Sequence, residues 1–264
     1  MAVINPKHLI LNLLMEADAP MSTQMFVQIC AMFDITANST RVSLARLSAD
    51  NMIQTSGRSL YRLGPGASRL AEDLAQWRTL ENKVCEWDGA WIAAFIGNLG
   101  RADRTALRRR TRILKLAGFE ELETGLLVRP HNLVGGADQL RERLYYLGLE
   151  PQAMVFTLGD LEVAAQQRAL QLWDTDELNR HYVEGAAEME RWMASADQLA
   201  PEVAARESFL IGDQTLRCIA YDPMLPKEMI DVAARRCYVE TMVRYDQVGK
   251  AVWQQLYQTF RQAS

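Results

Sequence analysis

Residues 22–63 constrain this chain more tightly than any other stretch. Ser22 to Met32 reads as a short helix, Ile35-Thr36-Ala37-Asn38 as a tight turn, and Ser39 to Leu47 as a second helix. Met52 to Leu63 then alternates about Gly57-Arg58, as a two-stranded hairpin does. Helix, turn, helix, hairpin is the order of a winged helix-turn-helix, which offers one helix to the DNA major groove and one wing to the backbone. In the second helix Thr40, Leu44 and Leu47 recur at i, i+4 and i+7. They are expected to pack inward, against the first helix and against Leu9, Leu13 and Leu14. The opposite side carries Asn38, Arg41, Val42, Ala45 and Arg46, with small residues at Ser43 and Ala45 to permit close approach to base edges. Arginine pairs with guanine, asparagine with adenine, and hydroxyls with phosphate. Asn38 or Ser39 is predicted to cap this helix, and Arg58 in the wing to reach phosphate. The plain alternative is a helical hairpin with two exposed arginines; the adjoining wing argues against it.

Charge restricts where such a surface can lie. The net charge is -4 over 264 residues. Residues 1–66 hold five basic and four acidic side chains, whereas residues 161–264 hold eleven basic and sixteen acidic ones. An acidic C-terminal half repels phosphate, so the DNA surface is expected at the front of the chain. Cys30, Cys85, Cys218 and Cys237 show no C-x-x-C spacing and no neighbouring histidine. They are read as reduced, mostly buried thiols rather than a disulfide framework or a zinc site. The expected setting is cytoplasmic: the N-terminus lacks a basic segment ahead of an apolar run, and no apolar run approaches the length of a membrane span.

Four parts are expected along the chain: 1–66, the winged helix; 67–84, a connecting helix with Leu70, Leu74, Trp77, Leu80 and Val84 on one side; 85–160, a small α/β sandwich; and 161–264, a mostly helical domain serving effector binding or dimerisation. The sandwich is read from the strand Trp91–Ile96, the helix Asp103–Leu116, the strand Gly125–Pro130, the helix Ala137–Leu147 and the strand Met154–Leu158. Pro6 to Ala17 is expected to be helical, while Ser208 to Ala220 is ambiguous.

Several motifs carry a resemblance. Asn38 to Leu47 is similar to the recognition helix of the PaaX family, repressors of phenylacetic acid degradation operons. Gly57-Arg58 and Tyr61 match the family's wing. Glu86-Trp87-Asp88-Gly89-Ala90-Trp91 resembles the lead into its central domain. Leu116-Ala117-Gly118-Phe119, Gly125 and Pro130 fit the segment after it. Leu172-Trp173-Asp174, Leu178, Tyr182 and Asp222-Pro223-Met224-Leu225-Pro226 fit its C-terminal domain. The resemblance runs in order over nearly the whole chain. It implies an α+β multidomain homodimer with an N-terminal winged helix-turn-helix, a central ferredoxin-like (Cas2-like) sandwich and a helical C-terminal domain. It also implies a repressor that binds a double-stranded operator, uses no cofactor and is released by an aryl-CoA thioester, phenylacetyl-CoA. The chain departs from the family's pattern over Gly212-Asp213-Gln214-Thr215-Leu216-Arg217 and at Ile230-Asp231-Val232-Ala233. A different acyl-CoA, or another small molecule, is the alternative effector.

Two further features bear on function. Arg101, Arg104, Arg108, Arg109, Arg110, Arg112 and Lys115 form a basic run, with Glu120, Glu121 and Glu123 just after it. It reads as a solvated helix face, or as a surface for CoA phosphates or DNA backbone. Arg108 and Arg109 are the expected phosphate contacts, with Trp173 and Tyr182 lining a slot for the acyl group. This run and residues 67–84 are the candidate surfaces around a dimer interface. A nuclease reading of the central domain needs clustered carboxylates for metal. The strand at Trp91 runs instead into Gly97-Asn98-Leu99-Gly100, so no catalytic or metal-binding residue is expected.

Overall fold

The computed structural model describes residues 4–17, 19–67, 76–100 and 102–262. It is a mixed α+β protein with two antiparallel sheets. Its residues fall into two compact units: one of 1–77, 191–212 and 244–264, the other of 78–190 and 213–243. Residues 161–264 therefore contribute to both.

In the first unit, helix α1 (Pro6–Glu16) begins with proline at its first turn and is capped by Asn5. Strand β1 is Met21–Ser22. Helix α2 (Thr23–Ala31) is capped by Ser22, whose hydroxyl accepts from Met25 N at 3.2 Å. Helix α3 runs Ala37–Ala49. Its cap is Thr36, not Asn38 or Ser39. The chain turns at Asp34, which adopts φ 59°, so Thr36 already lies at the helix boundary and Ala37 and Asn38 belong to the helix. The Thr36 hydroxyl accepts from Ser39 N at 3.2 Å. Strands β2 (Ile53–Gly57) and β3 (Leu60–Leu63) form the hairpin, and the sheet order is β1-β3-β2. Leu9, Ile10, Phe26, Ile29, Leu44, Leu47 and Ile53 form the core, which Tyr257 joins from the C-terminal helix. Phe209 meets Phe33 edge-on with ring centroids 5.3 Å apart.

The link between the units differs from the expectation. Residues 76–83 form a 3-10 helix rather than part of one continuous α-helix, and Val84 makes an isolated bridge to Leu133. Leu70 and Leu74 lie outside the described residues.

In the second unit, β4 (Trp91–Phe95), α4 (Arg104–Leu116), β5 (Glu120–Glu123), β6 (Leu126–Pro130), α5 (Gly136–Tyr146) and β7 (Met154–Leu158) follow in order. The sheet order is β5-β6-β4-β7. Strand β5 is an addition to the pattern read from sequence. Its Glu-Glu-Leu-Glu run sits at the sheet edge, where charged side chains are the rule rather than an apolar alternation. Ile92, Ala94 and Val155 on the sheet pack with Ile113, Leu114, Leu140 and Leu144 of α4 and α5. Asp103 caps α4 by accepting from Thr105 N and Ala106 N at 2.8 and 3.1 Å, and these bonds hold its carboxyl below the ordinary range. Helices α6 (Val163–Leu170), α7 (Thr175–Ser195), α8 (Pro201–Ala220) and α9 (Val232–Gln262) complete the chain. The ambiguous stretch Ser208–Ala220 is the body of α8. No helix among the described residues is long and apolar enough to cross a membrane. Only Cys30 of the four cysteines is buried; Cys85 and Cys237 are exposed, contrary to the mostly buried expectation.

Candidate functional site

Helix α3 presents two faces of different character. Thr40, Ser43, Leu44 and Leu47 are buried, with Thr40 donating through its hydroxyl to Thr36 O at 3.1 Å. Asn38, Arg41, Val42, Ala45 and Arg46 are exposed and Ser39 is half-buried. Thr40, Leu44 and Leu47 thus face inward and Arg41 and Arg46 outward, as helical spacing predicts. Ser43 is the exception: it is 8% exposed and faces the core, so it contributes nothing to close approach from outside.

The hairpin beside α3 is held by its own hydrogen bonds. Met21 pairs with Tyr61 and Ser22 with Leu60, while Thr23 N donates to Ser59 O at 3.0 Å. Ser59 adopts φ 60° at the tip. This strapping leaves Arg58 exposed at the turn, on the same unit as α3. Arg62 in β3 is exposed as well. Arg62 was not singled out from sequence; its place in the strand alternation, out of step with Tyr61 and Leu63, was the available signal.

The basic run on α4 is less uniform than its sequence. Arg110 is 3% exposed and grips Glu150 through both carboxylate oxygens, at 2.7 and 3.2 Å. That pair holds the Glu150 carboxyl below its ordinary range. Arg110 therefore leaves the proposed cationic face, because i, i+3 spacing carries it to the side where α4 meets Ile113 and Leu114. Lys115 pairs with Glu120 at 2.8 Å. Arg104, Arg108, Arg109 and Arg112 are exposed; Arg101 lies outside the described residues. Arg108, Arg112 and Lys115 border an open depression of about 430 Å³ together with Leu107, Thr111 and Tyr221. Arg109 does not: its Cδ lies toward Gly148.

Of the two aromatic residues expected to line an acyl slot, Trp173 borders a surface depression and Tyr182 is buried away from it. Trp173 borders a second depression, of about 310 Å³, with Leu172, Leu178 and Pro223. It stacks on Trp91 at 6.2 Å with planes 6° apart, and Trp91 donates through its indole to Gln166 at 2.7 Å. Tyr182 is 2% exposed and donates to Asp222 at 2.8 Å; burial pushes its hydroxyl pKa up. It braces the fold. Thr215 is likewise 4% exposed within α8, and neither it nor Gly212 borders either depression.

The residues that sequence reading missed form a buried polar clamp on 222–226. Arg129 donates to Ala117 O, Asn132 Oδ1 and Pro223 O, at 2.6, 3.1 and 3.3 Å. Burial without a contacting carboxylate lowers its pKa to about 10. Asn132 donates to Met224 O at 2.7 Å, and Arg235 joins Leu225 O at 2.7 Å to Glu81 at 2.9 Å.

No protein-family profile matches the chain, and no curated protein matches it. Among solved structures, the uncharacterized protein Rv0674 from Mycobacterium tuberculosis is similar with a TM-score of 0.59 and 22% sequence identity. The likeness covers 94% of this chain and 99% of that one, so the fold is shared over nearly the full length.

Proposed function

We propose that the protein is a ligand-responsive transcriptional repressor of the PaaX type. In this reading residues 1–66 are a winged helix-turn-helix that binds a double-stranded operator, and residues 85–160 are the ferredoxin-like (Cas2-like) sandwich. The helical remainder serves effector binding and dimerisation, the working form is a cytoplasmic homodimer, and an aryl-CoA thioester releases it from DNA. The reading assigns it no catalysis and no cofactor. The observation that carries it is the outward face of α3: Asn38, Arg41, Val42, Ala45 and Arg46 stand clear while Thr40, Leu44 and Leu47 are sunk in the core. A reading helix needs this division, because its apolar half must be held rigidly while its polar half remains free for base edges. The strapped hairpin with Arg58 at its tip adds a phosphate contact.

The test is a duplex DNA sequence selected by the full chain from a random pool. Arg41→Ala is expected to weaken binding to the selected site by about 1–3 kcal/mol, and to a lesser extent on random duplex. Arg58→Ala is expected to weaken both alike and to reduce the salt dependence by about one ion. Unchanged affinity in both variants would overturn the winged-helix assignment. A second effector class remains in view because of the departures near Gly212 and Ile230, and titration with several acyl-CoA esters decides between them.

A further inference from the structure

The two edges of the second unit's sheet are built differently. Strand β5 closes one edge with Glu120, Glu121 and Glu123, and its pairing shifts register between Glu121 and Glu123. Charge and irregularity are the usual guards of an exposed edge. Strand β7 forms the other edge, and no further strand pairs with it among the described residues. Its sequence, Met154-Val155-Phe156-Thr157-Leu158, has no charged residue, no proline and no shift in its pairing with β4.

The hydrogen-bond pattern fixes which β7 groups face outward. Ala90 O accepts from His131 N at 3.0 Å and Ile96 N donates to Gly125 O at 2.8 Å, so the even-numbered residues of β4 turn their backbone groups toward β6. The pairing of Trp91 with Pro130 agrees, since proline has no N–H to give to the odd-numbered set. Trp91, Ala93 and Phe95 therefore bond to Leu158, Phe156 and Met154 of β7. Val155 and Thr157 are left with their backbone groups pointing away from the sheet. Two carbonyls on this edge are met by side chains of α5: Arg141 Nε donates to Val155 O and Tyr145 to Ala153 O, each at 2.8 Å. The Val155 and Thr157 N–H groups have no acceptor among the described residues. Beside them Met154 is 51% exposed, and Phe156 and Leu158, on the same face, are half-buried.

We propose that β7 pairs antiparallel with β7 of a second copy of this chain, joining the two four-stranded sheets across a two-fold axis at Phe156. This gives the homodimer of the reading above its interface, and it rests on that reading only for the number of copies. The strand is complementary to itself in this register. Val155 lies opposite the partner's Thr157, and the two exchange both N–H to carbonyl bonds. The Val155 carbonyl keeps a second lone pair for this beside the one that Arg141 occupies. Phe156 stands opposite the partner's Phe156 and Met154 opposite the partner's Leu158. These are apolar and aromatic cross-strand pairs, and no like charges meet. Pairing β7 with β5 of another copy would set apolar side chains against glutamates. It would also run head to tail and leave an open edge at each end, whereas the two-fold arrangement closes.

The test is sedimentation velocity of the full chain, without DNA, over a concentration series. Thr157→Pro removes an outward N–H and no bond to β4, so the fold should hold while the pairing fails. Thr157→Lys, at a position exposed in the single chain, sets a charge against the partner's Val155. Each change is made twice across the axis, so each should raise the dimer dissociation constant about tenfold or more. Register is tested by oxidation. Facing residues of a non-hydrogen-bonded pair have Cα atoms about 4.5 Å apart, so Phe156→Cys should link two copies through that position, as peptide mass mapping identifies. Met154→Cys lies roughly 13 Å along the strand from its own copy and should not link to itself. If Thr157→Pro or Phe156→Cys melts lower, Thr157→Lys decides the matter alone. A dimer that tolerates Thr157→Lys overturns the proposal, as does linkage at 154 as ready as at 156. A wild-type chain that stays monomeric overturns it too, and would leave this edge to a strand from another protein. A dimer insensitive to both Thr157 changes removes this interface and leaves selected-DNA binding to judge the regulator. A dimer lost on Thr157→Lys, in a chain that selects no DNA, keeps the interface and removes the regulator.

Discussion

Two arginines and one aspartate carry much of the internal order around 222–226. Arg235 is 1% exposed and bridges Glu81 to the Leu225 carbonyl. Removing it leaves a carboxylate and a carbonyl without their donor. Because Glu81 is partly exposed, Arg235→Ala is expected to cost about 3 kcal/mol, the lower end for breaking a buried pair. Urea unfolding followed by circular dichroism measures this. Arg235→Lys should rescue little of it, since an ammonium cannot span both partners as the guanidinium fork does. Asp222 makes a different prediction. Desolvation raises its carboxyl pKa, against the opposing bonds from Met224 N and Tyr182. A raised folded value means that the folded state holds the proton more tightly than the unfolded one. Its contribution is therefore full below the ordinary carboxylate range and is lost as pH rises through the folded value. Asp222→Asn is expected to flatten that part of the stability–pH curve; an unchanged slope between wild type and variant would contradict the assignment. The sequence marked Asp222 through the family resemblance but said nothing of Arg129 or Arg235. A lone arginine in a strand or helix looks solvent-facing until the loop that buries it is in place.

At the level of elements, the turn after α4 shows how one residue joins two segments distant in sequence. Gly118 has φ +74°, and a Cβ there would lie 2.8 Å from Pro223 O and 2.9 Å from Pro223 Cα. Gly89 has φ +89° with open space around it. Gly89→Ala is thus expected to cost only left-handed strain, about 1–2 kcal/mol, whereas Gly118→Ala adds a backbone clash and should cost more. Thermal unfolding of the two variants side by side checks the ordering; equal losses would refute the close approach. The break at Gly118-Phe119 was legible as a break. Its second role was not, because the partner is more than a hundred residues away. Similar reasoning covers α3. Its apolar period was readable, but the cap moved to Thr36 because the left-handed turn at Asp34 closes the loop sooner than the Asn38-Ser39 pair implied.

For the molecule as a whole, the regulator reading requires two-fold symmetry. One winged helix reads a short half-site, and paired half-sites are matched by a symmetric dimer. A homodimer is expected at micromolar concentration, near twice the 29.9 kDa chain mass. Light scattering that returns the monomer mass would contradict it. The same measurement with selected DNA present gives the stoichiometry on the operator.

Sequence alone determined the local features of this protein. Periodicity sorted α3 into an inward face of Thr40, Leu44 and Leu47 and an outward face of Asn38, Arg41, Val42, Ala45 and Arg46, because helical spacing repeats within a few residues. Turn chemistry located the hairpin at Gly57-Arg58 and the end of α4 at Gly118. Tertiary structure decided whatever depends on partners far along the chain. Arg110 left the cationic face for Glu150, and Tyr182 left the expected slot for Asp222. Trp173 came to border a depression with Lys115, a residue 58 positions earlier. The acidic strand β5 appeared because an edge pairs through its backbone and leaves its side chains to solvent. The physical reason is common to all four: a side chain's period shows which way it faces on its own element, but only packing determines what stands opposite.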